Sequence, residues 1–377
     1  VCPVNSFYET RDVSAVQAAL QDPTKHVIAI VSPVAGVSLG EEFGLEAGMP
    51  LHQQLTAVLK KIGCAQVFDA GVGVDIVLLE ESYQLLSRVK SQKRLPMLSS
   101  SSPAWVKYIE HFYPERLSLL STCKSPVQAL AALVKTYYAQ QQQIEPEQIF
   151  TVSITPCTAE KFERTRPEMT VNGCIAIDAC LTTKETASLL QGMAGDLLLS
   201  IPPQPYDPPF DETSGAGVLF GAAGGMLEGV MRTFYELLTE RKLKTPEFPA
   251  MRELEGWKEI ALKVGEETLN IAIVNGTGNV KTVMEKLAQG QKQYHYIEIK
   301  GCPDGCPRGG GQPLPCVQET IRARSRALYE LDAEKSIRKA HENPCIKAIY
   351  EQFLKKPSST ESKKLLHTTF TQRERYL

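Results

Sequence analysis

The stretch IEIKGCPDGCPRGGGQP (Ile297–Pro313) opens as a strand-like apolar run and breaks at a glycine followed by two cysteines. Cys302 and Cys306 stand four positions apart among Gly and Pro, a spacing that lets both thiols turn toward one bound object. The glycines let backbone approach closely and offer N–H groups to sulfide or another anion. A structural zinc ribbon needs a second cysteine pair at similar spacing, and none occurs. On spacing, ligation of a metal or iron–sulfur group and a Cys302–Cys306 disulfide both stay open.

The pattern of a strand running into a cysteine recurs in QIFTVSITPC (Gln148–Cys157). The thiols of Cys157, Cys302 and Cys306 therefore converge if two lobes face each other. HVIAIVS (His26–Ser32), AQVFDAG (Ala65–Gly71) and RLPMLSS (Arg94–Ser100) read as further strands. MPLHQQLTAVLKKIG (Met49–Gly63) has helical apolar spacing and stops at a glycine, and DIVLLEESYQLLSRVKS and SPVQALAALVKTYYAQQ also read as helices. ETLNIAIVNGTGNVKTVMEKLAQG (Glu267–Gly290) is strand, Gly-rich turn and helix. This alternation predicts an α/β fold of two α/β lobes, with mostly parallel sheets flanked by helices and ligands at the carboxyl ends of the strands, in a cleft between the lobes. The expected division is a first lobe over 26–125, a second over 126–316 and a charged helical C-terminal tail over 317–377.

At 377 residues the chain can bury a large core, and 43% apolar with 22% charged residues is ordinary for a globular protein. A net charge of −2 gives no electrostatic reason to expect nucleic acid or an anionic membrane. The most apolar stretch, Gly215–Met231, is broken by glycines and Glu228 and makes a poor membrane span. VCPVNSFYETRD has no basic segment leading into an apolar core, so no secretory leader is expected. Ten cysteines are too sparse for a disulfide scaffold. Reduced thiols in the cytoplasm or in an organelle matrix are expected, with a subset reserved for metal.

Other motifs read more plainly. Cys64, Cys174, Cys180, Cys316 and Cys345 are isolated, as buried core cysteines often are. SGAGVLFGAAGGMLEGVMRTFYE (Ser214–Glu236) matches neither the phosphate-loop nor the dinucleotide pattern, which leaves close backbone packing at a helix start or lobe contact. The histidines form no zinc-ligating pair. In LPMLSSSSPAWVKYIEHF (Leu95–Phe112), four serines before Pro103 read as a polar turn capping the next helix.

Taken in order, LGEEFG, LPMLSSSSPAW, STCKSP, TPCTAEKFERTRPE, SGAGVLFGAAGG, IEIKGCPDGCPRGGGQP and the tail segments HENP and LLHT resemble the catalytic domain of iron-only ([FeFe]) hydrogenases. Residues 1–25 look like the end of that family's ferredoxin-like module and its linker. The resemblance implies an H-cluster between the lobes, in which a [4Fe–4S] cubane held by four cysteines is joined to a diiron centre carrying CO and cyanide. It also implies electron exchange with ferredoxin or another redox protein. Cys157, Cys302 and Cys306 match three cubane ligands, and Cys306 matches the thiolate that bridges to the diiron centre. LPMLSSSSPAW stands where the family has T-S-C-C-P-x-W, which puts Ser102 at the fourth ligand position and Ser101 at the proton-shuttling thiol.

Further positions depart from the family pattern. A serine hydroxyl is far less acidic than a thiol, and as an alkoxide it is a harder iron ligand than thiolate. Along the family's proton path Glu81, Ser121 and Arg88 are kept, whereas Gln84 replaces a second carboxylate and cannot relay a proton by ionising. Glu160 replaces a lysine that donates to a cyanide ligand, and Lys300 and Thr155 replace methionines beside the diiron centre. Pro33 is kept from the wall motif, and Gly36 replaces its arginine. The expectation is a hydrogenase-like protein that binds an iron–sulfur cluster and has weakened or lost hydrogen turnover. The alternatives are an active ferredoxin-linked hydrogenase and a metal-free paralogue; a protein without turnover would serve as a sensor, a redox-complex subunit or a scaffold.

Overall fold

The structure is a computed structural model describing residues 10–252, 256–290 and 293–374. The expected ferredoxin-like remnant around Cys2 lies outside the described residues. In chain order the strands are β1 (His26–Val31), β2 (Gln66–Asp69), β3 (Met97–Leu98), β4 (Ile149–Thr155) and β5 (Thr170–Val171). They continue with β6 (Cys174–Ile175), β7 (Ala179–Thr182), β8 (Trp257–Val264), β9 (Glu267–Asn275) and β10 (Tyr296–Lys300). One sheet has the order β2-β1-β4-β7 and is parallel throughout. A second four-stranded sheet has the order β3-β10-β9-β8, parallel except where β8 pairs antiparallel with β9, and β5 and β6 form a small antiparallel pair.

The expected cut at residue 125 does not separate these sheets. Strands β4 and β7 come from the second half of the chain and pair beside β1, while β3 comes from the first half and pairs with β10. Parallel neighbours need long crossover connections, so strands distant in sequence become neighbours in space. The predicted strand over Arg94–Ser100 is reduced to Met97–Leu98, and the serines that follow leave the ladder.

Both faces of the parallel sheet are covered, which is why its strands read as continuous apolar runs. Val27, Ala29 and Val31 face one core with Val67, Val152, Ile154 and Leu181, under the helices Val13–Gln21, His52–Lys61 and Thr183–Ala194. Ile28, Ile30 and Phe68 point the other way, into a core they share with Ile271, Ile273 and Tyr296 of the second sheet. The helices Ala70–Ser91, Pro126–Leu133 and Gly225–Thr239 fill that shared core. Ala70–Ser91 is buried at every position from Ala70 to Ser82, its acids included. Asp75 accepts from the Ser214 N–H at 2.7 Å, the Ser214 hydroxyl at 2.6 Å and Asn343 Nδ2 at 2.8 Å. Glu80 accepts from the hydroxyl of Tyr350 at 2.6 Å and the N–H of Ser358 at 2.8 Å.

The tail wraps the molecule and is locked to it by charge. Asp332, on the Gln318–Glu334 helix, is fully buried. It accepts from Arg232 at 2.8 Å, Arg338 at 2.8 Å and Arg252 at 3.1 Å. Glu228 shares the load, 2.6 Å from both Arg232 and Arg252. Replacing Asp332 by alanine leaves the fully buried Arg232 with Glu228 as its one carboxylate partner among the described residues and removes the shared anchor of Arg252 and Arg338. Urea denaturation of Asp332→Ala is expected to show a loss of about 3–5 kcal/mol of unfolding free energy.

Candidate functional site

Strands β1 and β4 of one sheet and β3 and β10 of the other end on the same gap. Residues just past those ends line a cavity: Ser32 after β1, Pro156 and Cys157 after β4, Ser101 and Ser102 after β3, and Gly301 and Cys302 after β10. Thr155, Glu160, Phe220, Lys300 and Cys306 complete much of its wall. An adjoining chamber of about 50 Å³ shares Ser32, Ser101, Thr155, Glu160 and Phe220 and adds Pro33, Ser125 and Ser153. The structure thus brings Cys157, Cys302, Cys306, Ser101, Ser102, Thr155, Glu160, Lys300 and Pro33 to one place.

The three thiols sense one another. Burial is the main cause that raises each: Cys302 is pushed up to about 11, Cys157 stands well above the ordinary thiol range, and Cys306 is raised as well. The nearness of Glu160, and then of Cys306 and Cys302, raises Cys157 further. Such thiols stay neutral until a cationic group offsets their charge, which is the condition that a metal cluster supplies. Glycines close the cradle. A Cβ on Gly221 would come within 2.0 Å of Val34 and 3.6 Å of the Cys306 Cβ, and Gly305 holds φ at +74° beside the Gly221 carbonyl.

The four serines do separate jobs. The Ser99 hydroxyl accepts from Ile299 N–H at 2.9 Å, and that of Ser100 donates to the Cys123 carbonyl at 2.8 Å. Ser102 occupies the N-cap of the Pro103–Phe112 helix without capping it through its side chain. Its hydroxyl instead accepts from Gly301 N–H at 3.1 Å, tying the β3 end to the β10 end. Ser101 lines both the cavity and the chamber.

Glu160 is fitted to its place. Ser153 donates to it at 2.9 Å and Thr155 at 2.8 Å, while burial raises its carboxyl to about 7. Ser153 was missed by sequence reasoning, although it lies two positions before Thr155 and so on the same face of β4. Lys300 does not stand in for a lysine at position 160. Its ammonium donates to the carbonyls of Phe220 and of Ala222, the latter at 2.8 Å, and lies 3.6 Å from Glu298. Gly36 has a partner too: a Cβ there would meet the His52 ring at 2.3 Å, and His52 Nε2 lies 2.9 Å from the carbonyl of Pro33.

Residues of the expected proton path lie behind this cavity. Glu81 accepts from the Tyr296 hydroxyl at 2.6 Å, and burial raises it to about 7 against the opposing pull of Ser121 and Arg88. Gln84 donates to Thr122 Oγ1 at 2.7 Å and accepts from Thr122 N–H at 3.1 Å. Arg88 donates to the carbonyls of Leu119 and Leu120, both at 2.7 Å. Tyr296, Ser125 and Glu163 were not singled out either, although Ser125 and Glu163 fall within the STCKSP and TPCTAEKFERTRPE segments. The Ser125 hydroxyl donates to Glu163 at 2.7 Å, and burial raises Glu163 to about 8.

Residues 25–310 match the iron-only hydrogenase large subunit, C-terminal domain, and residues 318–373 match the iron hydrogenase small subunit. The chain therefore belongs to the iron-only hydrogenase family. It is 38% identical to an NADP-reducing hydrogenase subunit of Solidesulfovibrio fructosivorans, over 100% of this chain and 65% of that protein. It is 31% identical to cytosolic iron-sulfur assembly component 3 of Bos taurus, over 97% of this chain and 78% of that protein. The chain thus spans about two thirds of the hydrogenase relative's length. Among solved structures, a variant of an [FeFe]-hydrogenase of Chlamydomonas reinhardtii superposes with a TM-score of 0.86 at 32% identity. That match covers 97% of this chain and 100% of the other. No helix of the described residues is long and apolar enough to cross a membrane.

The buried acids make stability depend on pH. The folded-state values of Glu81 and Glu163, about 7 and about 8, lie above the ordinary 4.5, so the folded state binds more protons than the unfolded state across that window. Stability therefore falls as pH rises through it. Urea unfolding between about pH 5 and pH 8 is expected to show this decline, and Glu163→Gln to flatten it by up to about 1.4 kcal/mol for each pH unit of that window.

Proposed function

We propose that this chain holds a [4Fe–4S] cluster through Cys157, Cys302 and Cys306 and is a hydrogenase-fold protein in which hydrogen turnover is weakened or lost. The single observation that carries this reading is the side-chain composition around the cavity. Three thiols converge there, but the surrounding wall presents Ser101, Ser153, Thr155 and a carboxyl, Glu160. When bound, the cluster would supply one-electron transfer.

The thiols fit an iron–sulfur cubane, while the chamber beside them does not fit an anionic diiron centre. Glu160 offers that centre a carboxyl in place of a cation, and the Lys300 ammonium is engaged by backbone carbonyls and Glu298. Ser101 would hold its proton too tightly to shuttle it at neutral pH. Gln84, fixed to Thr122, cannot relay one by ionising. The role that follows is redox sensing, electron transfer within a complex with ferredoxin or another redox protein, or an iron–sulfur scaffold. Both kinds of relative are compatible with it, since one printed name is a hydrogenase subunit and another an assembly component.

Anaerobic reconstitution followed by iron and sulfide analysis tests the cluster. Near-stoichiometric cubane is expected, and it is expected to be lost in Cys157→Ala. Exposure to hydrogenase maturation proteins tests the rest. Neither CO and cyanide infrared bands nor hydrogen evolution are expected from the unmodified chain. Rapid hydrogen evolution would overturn the reading. Restoring cysteine at positions 101 and 102 is expected to leave activity low unless Glu160 and Lys300 are changed with them.

A further inference from the structure

A cubane has four irons, and the cavity offers it three thiols. The other described cysteines do not line the cavity. Cys316 acts on Cys302 electrostatically, but its sulfur accepts from Arg324 at 3.4 Å and lies 3.9 Å from the Pro307 carbonyl. Ser102 does line the cavity, yet its oxygen already accepts the Gly301 N–H. To ligate iron well it would have to become an alkoxide, against an intrinsic acidity far weaker than that of any cysteine. Glu160 has one carboxyl oxygen engaged by Ser153 and the other by Thr155.

Resting on the cluster reading above, we propose that the [4Fe–4S] cluster is site-differentiated: one iron lacks a protein ligand and takes a small exchangeable donor, water or a low-mass thiol. The donor meets the cavity wall at Ser102, whose hydroxyl accepts from Gly301 N–H and keeps its own proton to donate to a water or a small thiol.

The consequence is a labile iron. Ferricyanide removes one electron from a [4Fe–4S]2+ core, and the resulting 3+ core releases Fe2+ to leave [3Fe–4S]+, while ferricyanide is reduced to ferrocyanide. A full set of four thiolates resists this loss, so Ser102→Cys separates the cases. After anaerobic reconstitution and one equivalent of ferricyanide, the wild-type chain and Ser102→Ala are both expected to show the [3Fe–4S]+ electron paramagnetic resonance signal and chelatable Fe2+. Ser102→Cys is expected to lower the signal about fivefold or more, because a soft thiolate then holds the fourth iron. Adding 2-mercaptoethanol to the dithionite-reduced wild-type cluster is expected to change its spectrum, which keeps the test independent of whether Ser102→Cys folds.

Retention of all four irons by the oxidised wild-type chain would overturn the proposal and leave the cluster reading intact. A stable cluster in the wild type that becomes labile in Ser102→Ala would do the same, by making Ser102 the ligand. Failure of every variant to take up iron and sulfide would overturn the cluster reading and this inference together.

Discussion

The helix Ala70–Ser91 sits between two sheets and carries acids where a soluble helix usually meets water. Its apolar positions fill the core shared by both sheets, and its carboxylates fasten it to three different parts of the chain. Asp75 binds the glycine-rich segment through Ser214 and the tail through Asn343, Glu80 binds the tail through Tyr350, and Glu81 binds β10 through Tyr296. A buried acid without such partners would cost several kcal/mol, so each bond also fixes a distance. The spacing of the sheets follows from the thickness of this helical layer. The width of the gap at their carboxyl ends, and hence the cavity, follows from that spacing.

Several of the residues read from the sequence as departures from the family pattern have local partners. Glu160 is held by two hydroxyls of β4, Lys300 by carbonyls of the glycine-rich segment, and the space at Gly36 is filled by His52. Buried polar groups normally find partners, and Glu160 and Lys300 find theirs within the protein. Under the proposed reading, the pocket keeps three thiols for a cubane and suits an electron-carrying or sensing site better than one that must deliver protons to metal.

Much of this was legible in the sequence. Cys157 and Cys302 each follow directly on a strand, and in parallel sheets such ends collect on one edge, so convergence of the thiols could be argued before any coordinates. The lobe boundary could not, because strand order in a parallel sheet is set by crossovers and not by proximity along the chain. Strands β7 and β8 also escaped. Ala179–Thr182 is four residues long, and Trp257–Val264 carries lysines and a glutamate on a half-exposed edge, so neither shows the apolar run that marks a central strand. The polar turn at Ser99–Ser102 reads as a helix cap, whereas its hydroxyls join β10, Cys123 and Gly301.

What the sequence by itself determined is donor chemistry: three thiols and two hydroxyls at the positions that meet in the gap, since ligand type is covalent identity and no folding alters it. What only the tertiary structure decided is the partner each changed residue took. Whether the Lys300 ammonium is free in the cavity or tied to the Phe220 and Ala222 carbonyls, and whether Glu160 is bare or held by Ser153, depends on contacts between segments far apart in the chain or on strand register. The Lys300 bonds to the Phe220 and Ala222 carbonyls, in particular, exist only once the glycine-rich segment has packed against β10.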